Sequence, residues 1–199
     1  MAQTIDSFID RAETPAARLA TTRMLYDTCA RGLSGLGFAA VWGLAAGSAA
    51  PRLAIANVYK VPMVVALSLV VALPGVLVAR HLLRLEIKPL EIVSALVASM
   101  YRASLLLLGF APLLGVYAYT SQSVAPLLAQ GSALLALLVG GASMRSELSR
   151  VAAPRWQLLL LGSVAGVLVC AGLLQLVSLA TPVLTLPTVF GSGIDGVLR

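Results

Sequence analysis

Long apolar runs separated by short charged clusters dominate the chain. Residues 32–51, 61–79, 103–144 and 157–194 contain no Asp, Glu, Lys or Arg. About 20 apolar residues are needed for a helix to cross the hydrocarbon core of a bilayer. Three runs are long enough for one crossing and residues 103–144 for two, so the pattern predicts five membrane-spanning helices.

Turn residues and charges set the expected limits of these spans. We predict helices over about 32–50, 61–79, 103–119, 124–144 and 157–180. Pro74 and Pro112 fall inside spans two and three, where a proline removes a backbone hydrogen bond, so kinks are expected at both. An unbroken helix over 89–119 would exceed a core of about 30 Å. We therefore predict a separate interfacial helix over 89–101.

The two ends of the chain differ from this central region. Residues 1–31 are predicted to form a cytosolic or interfacial segment with two short helices, the second starting at Thr14-Pro15. Residues 32–180 form the predicted transmembrane domain. Residues 181–199, with Pro182 and Pro187, are predicted to be an irregular extracytoplasmic tail.

Composition agrees with a membrane protein. Hydrophobic residues make up 59% of the chain and charged residues 11%, and the mean hydropathy is +0.96. Soluble domains carry about 25% charged residues. The expected fold is all-α, an integral membrane bundle of five transmembrane helices with interfacial amphipathic helices. The net charge of +6 lies on no basic stripe of a soluble element, so nucleic acid is not an expected partner.

The distribution of positive charge predicts the orientation. In a five-span chain, one side would carry 11 of the 14 Lys and Arg residues: Arg11, Arg18, Arg23, Arg31, Arg80, Arg84, Lys88, Arg102, Arg145, Arg150 and Arg155. Because Lys and Arg concentrate on the cytoplasmic side, we expect the N-terminus in the cytoplasm and the C-terminus outside.

The pattern offers no recognisable catalytic or metal site. His81, the single histidine, has no second ligand residue at a suitable spacing, so neither a metal ion nor another cofactor is expected. No nucleophile elbow, His-Glu-x-x-His pair or phosphate-binding loop occurs. We therefore expect a protein that is not an enzyme.

Two other sets of residues are candidates for packing and lipid contact. Small residues four apart, and two glutamines within spans, are candidates for helix packing: Gly43, Gly47, Gly162, Gly166, Gln130 and Gln175. We favour packing within the chain over a dimer face. The candidate lipid-headgroup contacts are Arg80, Arg84, Lys88 and Arg102.

Several short motifs occur along the chain. They are residues 38–47, the Tyr-Lys-Val-Pro-Met at 59–63, Pro74, Ala111-Pro112, the polar turn 120–123 and the Phe-Gly-Ser-Gly at 190–193. Together they resemble a group of small polytopic bacterial membrane proteins that are distantly similar to the Yip family of membrane-trafficking proteins. The resemblance implies a five-helix bundle that acts through protein partners or membrane organisation, with no catalytic residues.

Three functions follow as hypotheses. The first is a non-enzymatic inner-membrane scaffold or anchor subunit, associated with membrane lipids and with other membrane proteins or further copies of itself. The second is a transporter or channel component for a small neutral or apolar solute. The third is a lipid-interacting protein that organises the membrane.

Overall fold

Five helices account for nearly all of the structure, a computed structural model that describes residues 15–121, 123–149 and 154–183. They are α1 (Pro15–Ala46), α2 (Pro51–Leu82), α3 (Pro89–Thr120), α4 (Val124–Leu148) and α5 (Arg155–Val183). About 91% of the described residues are helical and none is in a strand. Each helix is long and apolar enough to cross a membrane, which confirms the five-helix membrane fold.

The helices are longer than the predicted spans. α1, α2 and α3 each contain 32 residues, or about 48 Å at a rise of 1.5 Å per residue. A hydrocarbon core of about 30 Å covers roughly 20 of those residues. The three helices therefore continue well beyond the core at one or both ends.

The separate interfacial helix predicted over 89–101 is wrong. Those residues are the first part of α3, which runs unbroken to Thr120. Pro89 occupies the first helical position, and the Glu91 carboxylate accepts a hydrogen bond from the Lys88 backbone N–H at 3.2 Å. Because nothing near Arg102 interrupts the backbone hydrogen bonds, this well-started helix continues into the membrane.

α1 corrects the expectation for the N-terminal segment in the same way. The helix that begins at Pro15 does not stop before the first span but continues through it to Ala46. The first of the two short helices predicted within residues 1–31 and the tail beyond Val183 lie outside the described residues. Pro74 and Pro112 lie inside continuous helices, and the kinks there stay predictions.

The helix neighbours do not follow chain order. α1 packs against both α2 and α3, α4 packs against α3, and α5 packs mainly against α2, with a smaller contact to α4. α1 and α3 run in the same direction: Gly32 lies beside Val97 and Gly35 beside Tyr101. α3 is the most buried of the five helices and lies between α1 and α4.

Two buried clusters lie at different heights in the bundle. One joins α1, α3 and α4 through Trp42, Leu107, Leu114, Ala129 and Ala136. The other joins four helices, α2, α3, α4 and α5. Its members are Val76, Leu85, Ile87, Ile92, Ala95, Leu96, Met144, Leu148, Leu158, Leu161 and Ala165. Leu85 and Ile87 belong to the extended segment 85–88 between α2 and α3, whose side chains alternate between buried and exposed.

One polar contact inside the first cluster yields a testable prediction. The Trp42 indole N–H donates to the Ser132 hydroxyl across 3.2 Å, and both side chains are buried. Ser132→Ala removes that acceptor and is expected to lower the free energy of unfolding by about 1 kcal/mol. Thermal or denaturant unfolding in detergent measures the change. Ser163→Ala, at an exposed serine of α5, is the control and should be neutral.

Candidate functional site

Most of the charged side chains collect at one end of the bundle. We call it the basic end: α1, α3 and α5 begin there, and α2 and α4 end there. The arginines and lysine whose side chains are described there are Arg23, Arg31, Arg80, Arg84, Lys88, Arg102, Arg145 and Arg155. The opposite end carries Arg52 on the first turn of α2 and Lys60 in its third. The uneven distribution of Lys and Arg that the sequence predicts therefore coincides with the two ends of the bundle.

Arg102 holds α3 to α4. Its guanidinium donates to the Ser143 hydroxyl at 2.7 Å and forms an ion pair with the Glu147 carboxylate at 2.5 Å. The Arg102 side chain is 40% exposed and that of Glu147 15%. Arg102 was predicted to contact lipid headgroups, but these two bonds give it a role in joining helices. Glu147 was missed, although it is the one acid between Glu91 and Asp195.

The chain leaves α2 through a tight turn with Arg84 at its centre. The Leu85 N–H donates to the Arg80 carbonyl at 3.1 Å, and the Arg84 N–H donates to the His81 carbonyl at 3.0 Å. This pair of bonds is a Schellman motif, and its central residue must take the left-handed conformation that glycine usually supplies. Arg84 has a φ of 52° there. A side chain in this conformation costs about 1–2 kcal/mol.

Arg80 lies in the last turn of α2, half-buried, one turn after the fully buried Val76. Its Nε is buried and has no hydrogen-bond partner among the described residues. No described carboxylate forms an ion pair with it. A buried donor of this kind is costly unless something accepts its hydrogen bond.

His81 and Lys88 flank these two arginines along the chain, and both are exposed. The described residues contain no group of three or more His, Cys, Asp or Glu side chains that could hold a metal ion. Three of the four predicted headgroup contacts, Arg80, Arg84 and Lys88, are thus at or just after the end of α2.

A shallow groove lies at the start of α1. It has a volume of about 580 Å³ and is lined by Leu19, Ala20, Arg23, Met24, Asp27, Thr28, Arg31 and, from α3, Ser94. Leu19, Leu25 and Tyr26 are exposed on the same part of α1. This part of the helix therefore presents apolar and basic side chains together.

The two predicted glycine pairs have different surroundings. A Cβ at Gly43 would lie 2.6 Å from the Asn57 carbonyl oxygen, and one at Gly47 would lie 2.6 Å from the Ala54 nitrogen. Gly43 and Gly47 therefore allow α1 and α2 to pack backbone to backbone. A Cβ at Gly162 would meet the Arg145 side chain at an ordinary 3.5 Å, and one at Gly166 would meet nothing within 4 Å.

Other small residues supply close contacts that the sequence analysis did not identify. A Cβ at Gly75 would lie 2.6 Å from the Leu168 side chain, and one at Gly172 would lie 3.4 Å from Ser68, so both serve the α2–α5 contact. A Cβ at Gly35 would lie 3.2 Å from the Tyr101 backbone. Because these glycines do not occur in pairs four residues apart, the sequence pattern does not identify them as packing residues.

The polar side chains at the opposite end also differ from expectation. Gln130 and Gln175, expected between helices, are exposed on the outside of the bundle. Lys60, expected to flank the second span, is buried with only 3% of its surface exposed, and Asn57, almost one turn earlier, is buried to the same extent. α2 begins nine residues before Lys60, which carries both side chains into the bundle.

Comparison with protein-family models, curated proteins and solved structures found no match to this chain. The resemblance to Yip-family proteins therefore stays a prediction.

Proposed function

We propose that the protein is a non-enzymatic scaffold or anchor subunit of a bacterial inner-membrane complex, with its basic end in the cytoplasm. The excess of Lys and Arg at that end supports this orientation. Exposed apolar side chains along all five helices support a bundle surrounded by lipid. Small-residue contacts and hydrogen bonds between the helices support a rigid anchor.

The observation that carries the proposal is the start of α1. With 32 residues, this helix exceeds the hydrocarbon core by about 18 Å. Its charged residues Arg18, Arg23, Asp27 and Arg31 are all in the first 17 positions, so the excess length lies on the basic end. An exposed tyrosine, Tyr26, among these arginines is a combination that protein contact surfaces favour.

Site-specific photocross-linking in native membranes tests this function. Leu19 and Leu134 are matched positions, because their side chains are 64% and 63% exposed. Leu19 lies on the α1 extension and Leu134 midway along α4. A photoreactive residue at Leu19 should give one discrete protein adduct, whereas one at Leu134 should give lipid adducts. Lipid adducts alone at both positions would contradict an anchoring role.

Transport of a solute would depend on residues other than those at the start of α1. The best support for the transporter hypothesis is the buried pair Asn57 and Lys60, because ionisable groups inside membrane helices often mark solute pathways. The groove at the start of α1 lies at the other end of the bundle from this pair. The hypothesis stays a prediction.

A further inference from the structure

We propose that the turn at the end of α2 binds the phosphate of an anionic phospholipid through Arg80 and Arg84. The proposal concerns a specific ligand of the basic end and does not depend on the scaffold function. Its starting point is that two unusual features, each destabilising by itself, occur four residues apart in the same turn.

The first feature is the unsatisfied Nε of Arg80. A cation in the last turn of a helix is favoured by the helix dipole, which explains why an arginine is tolerated there. The dipole does not explain why Nε is buried without an acceptor. Because Arg80 is only half-buried, rotation of its side chain would bring Nε to the bundle surface. A phosphate oxygen there would accept the hydrogen bond and supply the charge that no described carboxylate supplies.

The second feature is the arginine at a glycine position. Glycine would take the φ of 52° without strain, and the turn's backbone bonds need no side chain at all. The Arg84 side chain is exposed, so it contributes no core packing that could offset the strain. Strained residues occur preferentially at functional sites, where the side chain has a role in binding or catalysis that folding does not require.

The surroundings favour a lipid over a free phosphate ion. Val78 and Leu82 are exposed on the same helix, immediately around Arg80 and before Arg84. Trp156 is exposed on the first turn of α5, the helix packed against α2, and tryptophan marks the headgroup level of a bilayer. A bound molecule with a phosphate at the arginines would thus have its acyl chains beside an apolar helix surface.

Lipid titration of the purified full chain tests the proposal. Phosphatidylglycerol or phosphatidylcholine is added to the protein in neutral detergent, and the midpoint of thermal unfolding gives an apparent affinity. We expect phosphatidylglycerol to raise the midpoint and phosphatidylcholine to leave it nearly unchanged. Arg80→Gln should weaken the affinity for phosphatidylglycerol about tenfold, the loss expected for a charge-assisted hydrogen bond.

Arg84→Gly separates binding from folding. The substitution removes both the charge and the backbone strain, so the unfolding midpoint without lipid should stay equal or rise. The affinity for phosphatidylglycerol should nevertheless fall about fivefold. A purely structural role for Arg84 would leave the affinity unchanged, and that result would overturn the proposal.

Two further arms test the specificity of the site. Arg145→Gln removes an exposed arginine from the same end of the bundle and should change the affinity less than twofold. An equal loss with Arg145→Gln would show general surface attraction and would overturn the proposal. Inorganic phosphate at millimolar concentration, added without lipid, should give no protection. Protection equal to that of phosphatidylglycerol would identify free phosphate as the ligand and would also overturn it.

Discussion

Gly43→Ala is expected to lower the free energy of unfolding by about 2 kcal/mol. The new methyl group would lie 2.6 Å from the Asn57 carbonyl oxygen and 3.0 Å from its carbon. These are backbone atoms of α2, so no side chain can rotate away and the two helices must separate. Overpacking of this kind costs about 1–3 kcal/mol, and the better helix propensity of alanine offsets part of it.

Gly166→Ala is the matched control, since it makes the same chemical change inside another helix. The added methyl group would meet nothing within 4 Å, so we expect no loss and a gain of up to about 1 kcal/mol from helix propensity. Equilibrium unfolding in detergent compares the two variants. Equal destabilisation would mean that α1 and α2 are not packed backbone to backbone at Gly43.

Arg102→Met is the second large effect, and we expect a loss of about 2 kcal/mol. The mostly buried Glu147 carboxylate loses the guanidinium that neutralises it, and the Ser143 hydroxyl loses a donor. Removing one member of a fully buried ion pair costs about 3–5 kcal/mol. Because Arg102 is 40% exposed, the smaller value is expected here.

A double-mutant cycle isolates the contact between α3 and α4. Glu147→Leu and the Arg102→Met/Glu147→Leu double variant complete the cycle, and the coupling should be about 1–2 kcal/mol. Arg145→Met, two positions from Glu147 and exposed, should change stability by less than about 0.5 kcal/mol. Additive single effects, with no coupling, would contradict a direct bond between Arg102 and Glu147.

Hydropathy alone predicts the number of helices but not where each helix begins and ends. The charge-free runs predicted five helices correctly, because the bilayer sets a minimum apolar length. The same length was wrongly used as a maximum, which split α3 at residue 102. A helix begins and ends where its backbone hydrogen bonds do, and capping residues and prolines mark those limits in the sequence. Pro89 and Glu91 mark a helix start at residue 89 and not at residue 102.

The contacts between helices could not be predicted in the same way. Gly43 and Gly162 start the same motif, but only Gly43 faces a neighbouring backbone closely. Arg102 and Glu147 are 45 residues apart, and their pairing depends on α3 and α4 being neighbours. The extended segment between α2 and α3, by contrast, has a signal in the sequence. Leu85 and Ile87 alternate with Glu86 and Lys88, which indicates an extended segment with one buried side.

The order of helix contacts also has a consequence for biosynthesis. α5 leaves the ribosome after the other four described helices, yet it packs mainly against α2, the second of them. Until then Val76 and Ile87 lack their neighbours Leu158, Leu161 and Ala165. A nascent chain released before α5 would expose this apolar surface inside the membrane. The contacts of α5 with α2 and α4 therefore form only after all five described helices have been inserted.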